Sequence, residues 1–202
     1  MDLKNYEFNA HGVELGQFYA SSAVLSDGST RPAPTRDTDL YYEMSTVPGS
    51  HLPHAWVGDS SRRLALMDLA PYTRWTLFTG IAGEAWAQAG EKIAQELGVP
   101  LETVVIGPGR EVTDLYYDWA KLREVEESGV LLVRPDKHIA WRAMTLPEDP
   151  EGRCDRPCSR SWEGTEPRCV SSMTPCRKGC TSPPARRRRA SRPRSPPWAP
   201  VV

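Results

Sequence analysis

The chain has 202 residues and a formal net charge of −1, an average that conceals two unlike parts. Residues 1–150 carry 13 Lys and Arg against 22 Asp and Glu, whereas residues 151–202 carry 12 against 4. An acidic body of this size excludes broad nucleic-acid binding, since phosphate contacts need a basic face, and it holds one core but not a cofactor domain plus a substrate domain.

In chain order, residues 1–30 are weakly patterned. Leu3, Tyr6, Phe8, Val13, Leu15, Phe18 and Tyr19 supply apolar surface without a clean period, and Gly12, Gly16 and the Asp27-Gly28 turn interrupt any long element. Such a segment finishes a neighbouring domain rather than forming one. Residues 31–56 read as an extended linker broken by Pro32, Pro34, Pro48 and Pro53, lying along a surface that organises it.

From Ala55 the pattern sharpens. Leu64–Leu69 reads as a strand and Trp75–Thr79 as a second, with Pro71 and Tyr72 in the turn of a hairpin between them. Trp86, Ala89, Ile93 and Leu97 recur at helical spacing, and Gly98 and Pro100 mark the stop. Thr103–Ile106 and Val130–Val133 are β-branched or aliphatic runs of the kind buried on both faces. Tyr116–Glu127 can form a shorter helix. Arg134-Pro135-Asp136-Lys137 has turn chemistry, returning the chain through His138–Arg142 as a partner strand. The sum is an α/β domain, a mixed sheet with helical cover.

Beyond Leu146 the periodicity vanishes into Pro, Arg, Ser and Gly, too little apolar surface to offset ordering entropy, so residues 147–202 read as a disordered tail. All five cysteines lie there. Cys154, Cys158, Cys176 and Cys180 form two Cys-x-x-x-Cys pairs that a zinc ion could bridge, but the knuckle spacing is wrong and Cys169 is left over. Arg186–Arg189 with Arg192 and Arg194 is a bare charge run that could serve as an RNA-binding arm.

Candidate chemistry in the body is sparse. Gly80-Ile81-Ala82-Gly83-Glu84 is the one glycine-bearing turn from a strand into a good helix. It is too sparse for a dinucleotide fingerprint, and Glu84 at the helix mouth would repel phosphate. His11 with Glu14, and His51 with His54, are close enough in sequence to share a ligand, yet they lack a third donor, and with His138 they read as packing or surface histidines. Asp68 would be a candidate acid or base only if buried; a surface carboxylate is the simpler reading. Trp56, Trp75, Trp86, Trp119 and Trp141 read as core builders. No catalytic, cofactor-binding or metal-binding residue is assigned. The N-terminus lacks the apolar stretch of a signal peptide and no run is long enough to span a bilayer, so a cytoplasmic location and no membrane partner are expected.

Three blocks carry a resemblance: Phe8–Tyr19 (FNAHGVELGQFY), Pro48–Trp56 (PGSHLPHAW) and Pro135–Arg142 (PDKHIAWR), with Thr79–Trp86 (TGIAGEAW) between them. In order and over residues 5–145, the chain resembles the C-terminal third of class A flavoprotein monooxygenases, above all phenol, chlorophenol and aromatic polyketide hydroxylases. The resemblance implies a thioredoxin-like domain at 57–146, preceded by the end of an FAD/substrate domain at 1–30 and the linker at 31–56. It further implies that FAD and NAD(P)H serve the complete enzyme on a phenolic or polyketide substrate, with neither cofactor bound by this chain alone. Where a redox-active thioredoxin keeps its thiol pair the chain has Ile81 and Ala82, which excludes disulfide exchange in the body. Two readings stand: the C-terminal piece of an aromatic hydroxylase, partnered by an upstream FAD domain or by its own copies, or a non-enzymatic interaction module of the same fold.

Overall fold

The computed structural model describes residues 2–150. Two short helices come first, α1 (Asp2–Phe8) and α2 (His11–Leu15). Gly12 lets α2 press on the chain at Thr38, where an added Cβ would collide with the backbone, and the Val13 amide donates to the Asp39 carbonyl at 3.2 Å. The long connection that follows has no regular element, yet residues 45–50 are buried because they lie along the main sheet.

Next come β1 (Trp56–Gly58), β2 (Arg63–Ala65), a 3₁₀ turn at Leu66–Leu69, β3 (Trp75–Gly80), a second 3₁₀ turn at Ile81–Gly83 and α3 (Ala85–Leu97). The chain closes with β4 (Leu101–Ile106), β5 (Thr113–Asp114), α4 (Asp118–Leu122), β6 (Val130–Val133) and β7 (Ile139–Ala143). The main sheet has the order β4-β3-β6-β7; β3 and β4 run parallel through α3, while β6 and β7 join antiparallel. A three-stranded antiparallel sheet, β2-β1-β5, forms a second layer. The protein is thus an α/β fold of mixed sheets flanked by helices.

Alternation along the central strands builds two cores from one sheet. Leu77, Val130 and Leu132 face Trp86 and Ile93 of α3, with Trp75 and Trp141 packed at the margin. Phe78, Leu131 and Val133 face the other way, onto Val57, Leu66 and Trp119. β7 joins both cores through a bulge: Val133 pairs with Ile139 but Leu132 pairs with Trp141, so Ala140 is the extra residue. Ile139 and Trp141 therefore reach opposite faces although they are two positions apart, and Arg142 falls opposite Leu131.

The expected strand at Leu64–Leu69 and its hairpin with β3 do not form. The strand stops at Ala65 because Asp68 turns back and accepts the Ala65 amide at 3.3 Å, curling Leu66–Leu69 into the 3₁₀ turn that buries Leu66. β2 pairs with β1 instead, freeing β3 for the sheet centre. The expected helix at Tyr116–Glu127 is shorter, bounded by left-handed backbone at Tyr117 (φ 57°) and Glu124 (φ 53°). The tail from residue 151, with its cysteine pairs and arginine run, lies outside the described residues.

Candidate functional site

The glycine turn between β3 and α3 is occupied by the protein itself. The Glu127 carboxylate accepts the Ile81 amide at 3.0 Å, while Arg123 donates to its other oxygen at 2.6 Å. An added Cβ at Gly80 would strike the Glu127 carboxylate and carbonyl, and one at Gly83 would strike the Thr79 hydroxyl. These glycines thus allow chain-on-chain packing in the space where a phosphate-binding turn leaves room for its ligand. The hydrogen bond from Arg123 holds the Glu127 carboxyl below the usual range against a smaller opposing effect of burial, so the carboxylate stays ionised and paired with Arg123. Glu84 adds a second carboxylate, paired with Arg110.

The other singled-out residues are dispersed. His11 lies 3.5 Å from Glu14 on an exposed face. His54 packs edge-on to Trp56, whose ring also carries the Arg63 guanidinium at 4.2 Å. His51 turns away from His54 to meet His138, with ring centroids 5.3 Å apart. Among the described residues no three His, Cys, Asp or Glu side chains converge as a metal site would require. Asp68 is an exposed cap of its 3₁₀ turn. Trp86 and Trp119 are fully buried core residues, and Trp75 and Trp141 pack against the core of α3.

The polar centre of the molecule is Arg142, which sequence reasoning passed over. Its side chain is 6% exposed and ties three segments distant in sequence to β7. Nε donates to Asp27 at 2.6 Å, Nη1 to Thr46 and Glu124 at 2.9 Å each, and Nη2 to Ser29 at 3.1 Å. Glu124 also accepts the Thr46 amide at 3.0 Å, which accounts for its left-handed backbone: the chain turns there to send the carboxylate inward. Burial by itself would raise the Asp27 carboxyl, but hydrogen bonds from Ser29 and Arg142 outweigh it and hold the group below its ordinary value. The available signal was a lone arginine inside an apolar strand, which must find anions if it is buried.

More than half of the large apolar side chains exposed among the described residues lie before residue 45, including Leu3, Phe8, Val13, Phe18 and Tyr19. Phe18, Tyr19, Ala20, Val24 and Pro48 line an open groove of about 590 Å³ with Arg31 at its rim. Exposed apolar area of this kind marks interaction surfaces. No helix among the described residues is long and apolar enough to cross a membrane.

The family model for the C-terminal region of aromatic-ring hydroxylases matches residues 45–160. The chain belongs to this family. It is 56% identical over 151 residues to phenol 2-monooxygenase of Pseudomonas sp. (strain EST1001), covering 75% of this chain and 25% of that protein. It is 47% identical over 148 residues to 2,4-dichlorophenol 6-monooxygenase of Delftia acidovorans, covering 73% and 25%. Among solved structures it resembles the flavin-dependent monooxygenase PieE in complex with FAD and substrate, with a TM-score of 0.67, 43% identity, and coverage of 77% of this chain and 26% of that one. Aklavinone-11 hydroxylase with FAD and aklavinone gives a TM-score of 0.64 at 32% identity, covering 74% and 26%. This family member is therefore homologous to FAD-dependent class A aromatic-ring hydroxylases over their C-terminal region, and it spans about a quarter of the length of the curated relatives it matches.

Proposed function

We propose that the chain is the C-terminal part of an FAD- and NAD(P)H-dependent aromatic hydroxylase, inactive alone and serving as a structural and docking element for the flavin- and substrate-binding part. The observation that carries this is the concentration of exposed apolar side chains in residues 3–44, on a segment clamped to the sheet by Arg142. A surface that stays apolar while its supporting residues are fixed suits a partner that arrives pre-shaped. The filled glycine turn supports the reading that no cofactor sits there, since the Glu127 carboxylate already takes the Ile81 amide that a pyrophosphate would need.

On this reading the substrate of the complete enzyme is a phenol or a fused aromatic polyketide, the classes acted on by the relatives. Residues 1–30 end the FAD/substrate part, 31–56 link, and 57–146 form a thioredoxin-like domain without a redox pair. Supporting that domain type, the order β4-β3-β6-β7 combines a parallel β3-α3-β4 unit with an antiparallel β6–β7 hairpin. The chain supplies no catalytic residue, and it works in the cytoplasm. The second reading, an interaction module with no link to hydroxylation, draws on the same apolar surface.

Titration with FAD tests the proposal. The pure chain is expected to leave flavin fluorescence unquenched and to show no phenol-dependent NADPH oxidation. A yellow stoichiometric complex that consumes NADPH when offered a phenol would overturn it.

A further inference from the structure

The junction between residues 49–52 and the β6–β7 turn is closed by backbone and by two imidazoles. Leu52 donates its amide to the Lys137 carbonyl at 2.8 Å, and Ile139 donates to the Ser50 carbonyl at 2.9 Å. Between these bonds His51 and His138 face each other as an antiparallel bridge with their rings edge-on. His51 Nδ1–H donates to the Leu52 carbonyl at 2.9 Å, and the Tyr42 hydroxyl donates to the His51 carbonyl at 3.0 Å. The Tyr19 ring closes the other side of His138, which is 7% exposed and whose Nε2 has no partner.

We infer that this junction is a proton-sensitive latch: neutral His51 fastens residues 49–52 to the turn, and protonation of His51 loosens them. A charge on His51 would be half-buried, against the His138 ring and near the Lys137 ammonium. Lys137 is fixed there by donating to the Met67 and Ala70 carbonyls. The carboxylate facing the pair is Asp136, already engaged by Arg134 at 2.6 Å. Tyr42, which donates to the His51 carbonyl, is pushed up to about 12 by burial and stays protonated. Burial first, then His138 and Lys137, hold the His51 imidazole below its ordinary value, against the pull of the Leu52 hydrogen bond and Asp136. The folded latch thus binds fewer protons than the open one. Its closure is complete above the ordinary histidine range and weakens as pH falls from there through the depressed value.

Amide hydrogen exchange on the full chain, corrected for intrinsic rates, tests this between about pH 7.5 and 5.5. In the unaltered protein the Leu52 and Ile139 amides should lose more protection on acidification than the Ile93 amide in α3, and His51→Gln should abolish that excess. Equal loss at all three amides, or the same excess loss in His51→Gln, would overturn the inference. Should His51→Gln fail to fold, the His51 ring titration in the unaltered protein decides: a midpoint below that of a free histidine supports the latch, and one at or above it refutes it.

Discussion

A guanidinium buried at the junction of four segments is a commitment that the rest of the chain has to honour. Arg142 presents a planar fork of donors, and Asp27, Ser29, Thr46 and Glu124 fill it from separate directions. Replacing it with Met strands two carboxylates, so Arg142→Met should cost about 3–5 kcal/mol in chemical denaturation. Arg142→Lys keeps the charge but not the fork and should recover only part of that loss. Asp27 gives a companion test. Its folded value is depressed, so below about pH 4 the unfolded chain binds more protons than the folded one. The stabilisation it contributes is complete above that pH and lost as pH falls through the folded value. Asp27→Asn should therefore be less stable at neutral pH and show a shallower acid dependence, its stability curve converging with that of the unaltered protein in strong acid.

At the level of elements, legibility followed whether a residue's partners were local. The helix α3 was readable because Trp86, Ala89 and Ile93 return every three or four positions and Gly98 sits just past the end. Gly98 adopts φ 66°, so Gly98→Ala should lower thermal stability by roughly 1 kcal/mol, since nothing near it would clash and the backbone strain acts alone. The Ile81–Gly83 turn gives a contrasting test. Glu127→Ala removes the acceptor of the Ile81 amide and the partner of Arg123, and should cost about 1–2 kcal/mol in denaturant unfolding. What the sequence left hidden depended on distant partners. Leu64–Leu69 has strand composition, but a single carboxylate at Asp68 turns it into a 3₁₀ turn. The bulge at Ala140 leaves no local mark, and the identity of Arg142 as a hub emerges only when Asp27 and Glu124 are brought beside it. The dispersal of the histidines follows the same logic, because His51 finds its neighbour in His138 rather than in nearby His54.

The whole molecule is a fastened platform: two cores grip one sheet, the connecting chain is stitched to its edge by Arg142, and the fixed segment above displays apolar side chains. On the reading proposed above, the occupant of that display is the flavin- and substrate-binding part of an aromatic hydroxylase, a family whose C-terminal region this chain matches over about a quarter of the relatives' length. The most direct test mixes the pure chain with the Pseudomonas phenol 2-monooxygenase shortened by the quarter that this chain matches, and follows assembly by sedimentation velocity. The account expects a one-to-one complex that is weakened at least tenfold, about 1.4 kcal/mol, by the paired substitutions Phe18→Asp and Tyr19→Asp. Independent sedimentation of the two proteins at every concentration, with the shortened enzyme folded and flavin-loaded, would contradict it.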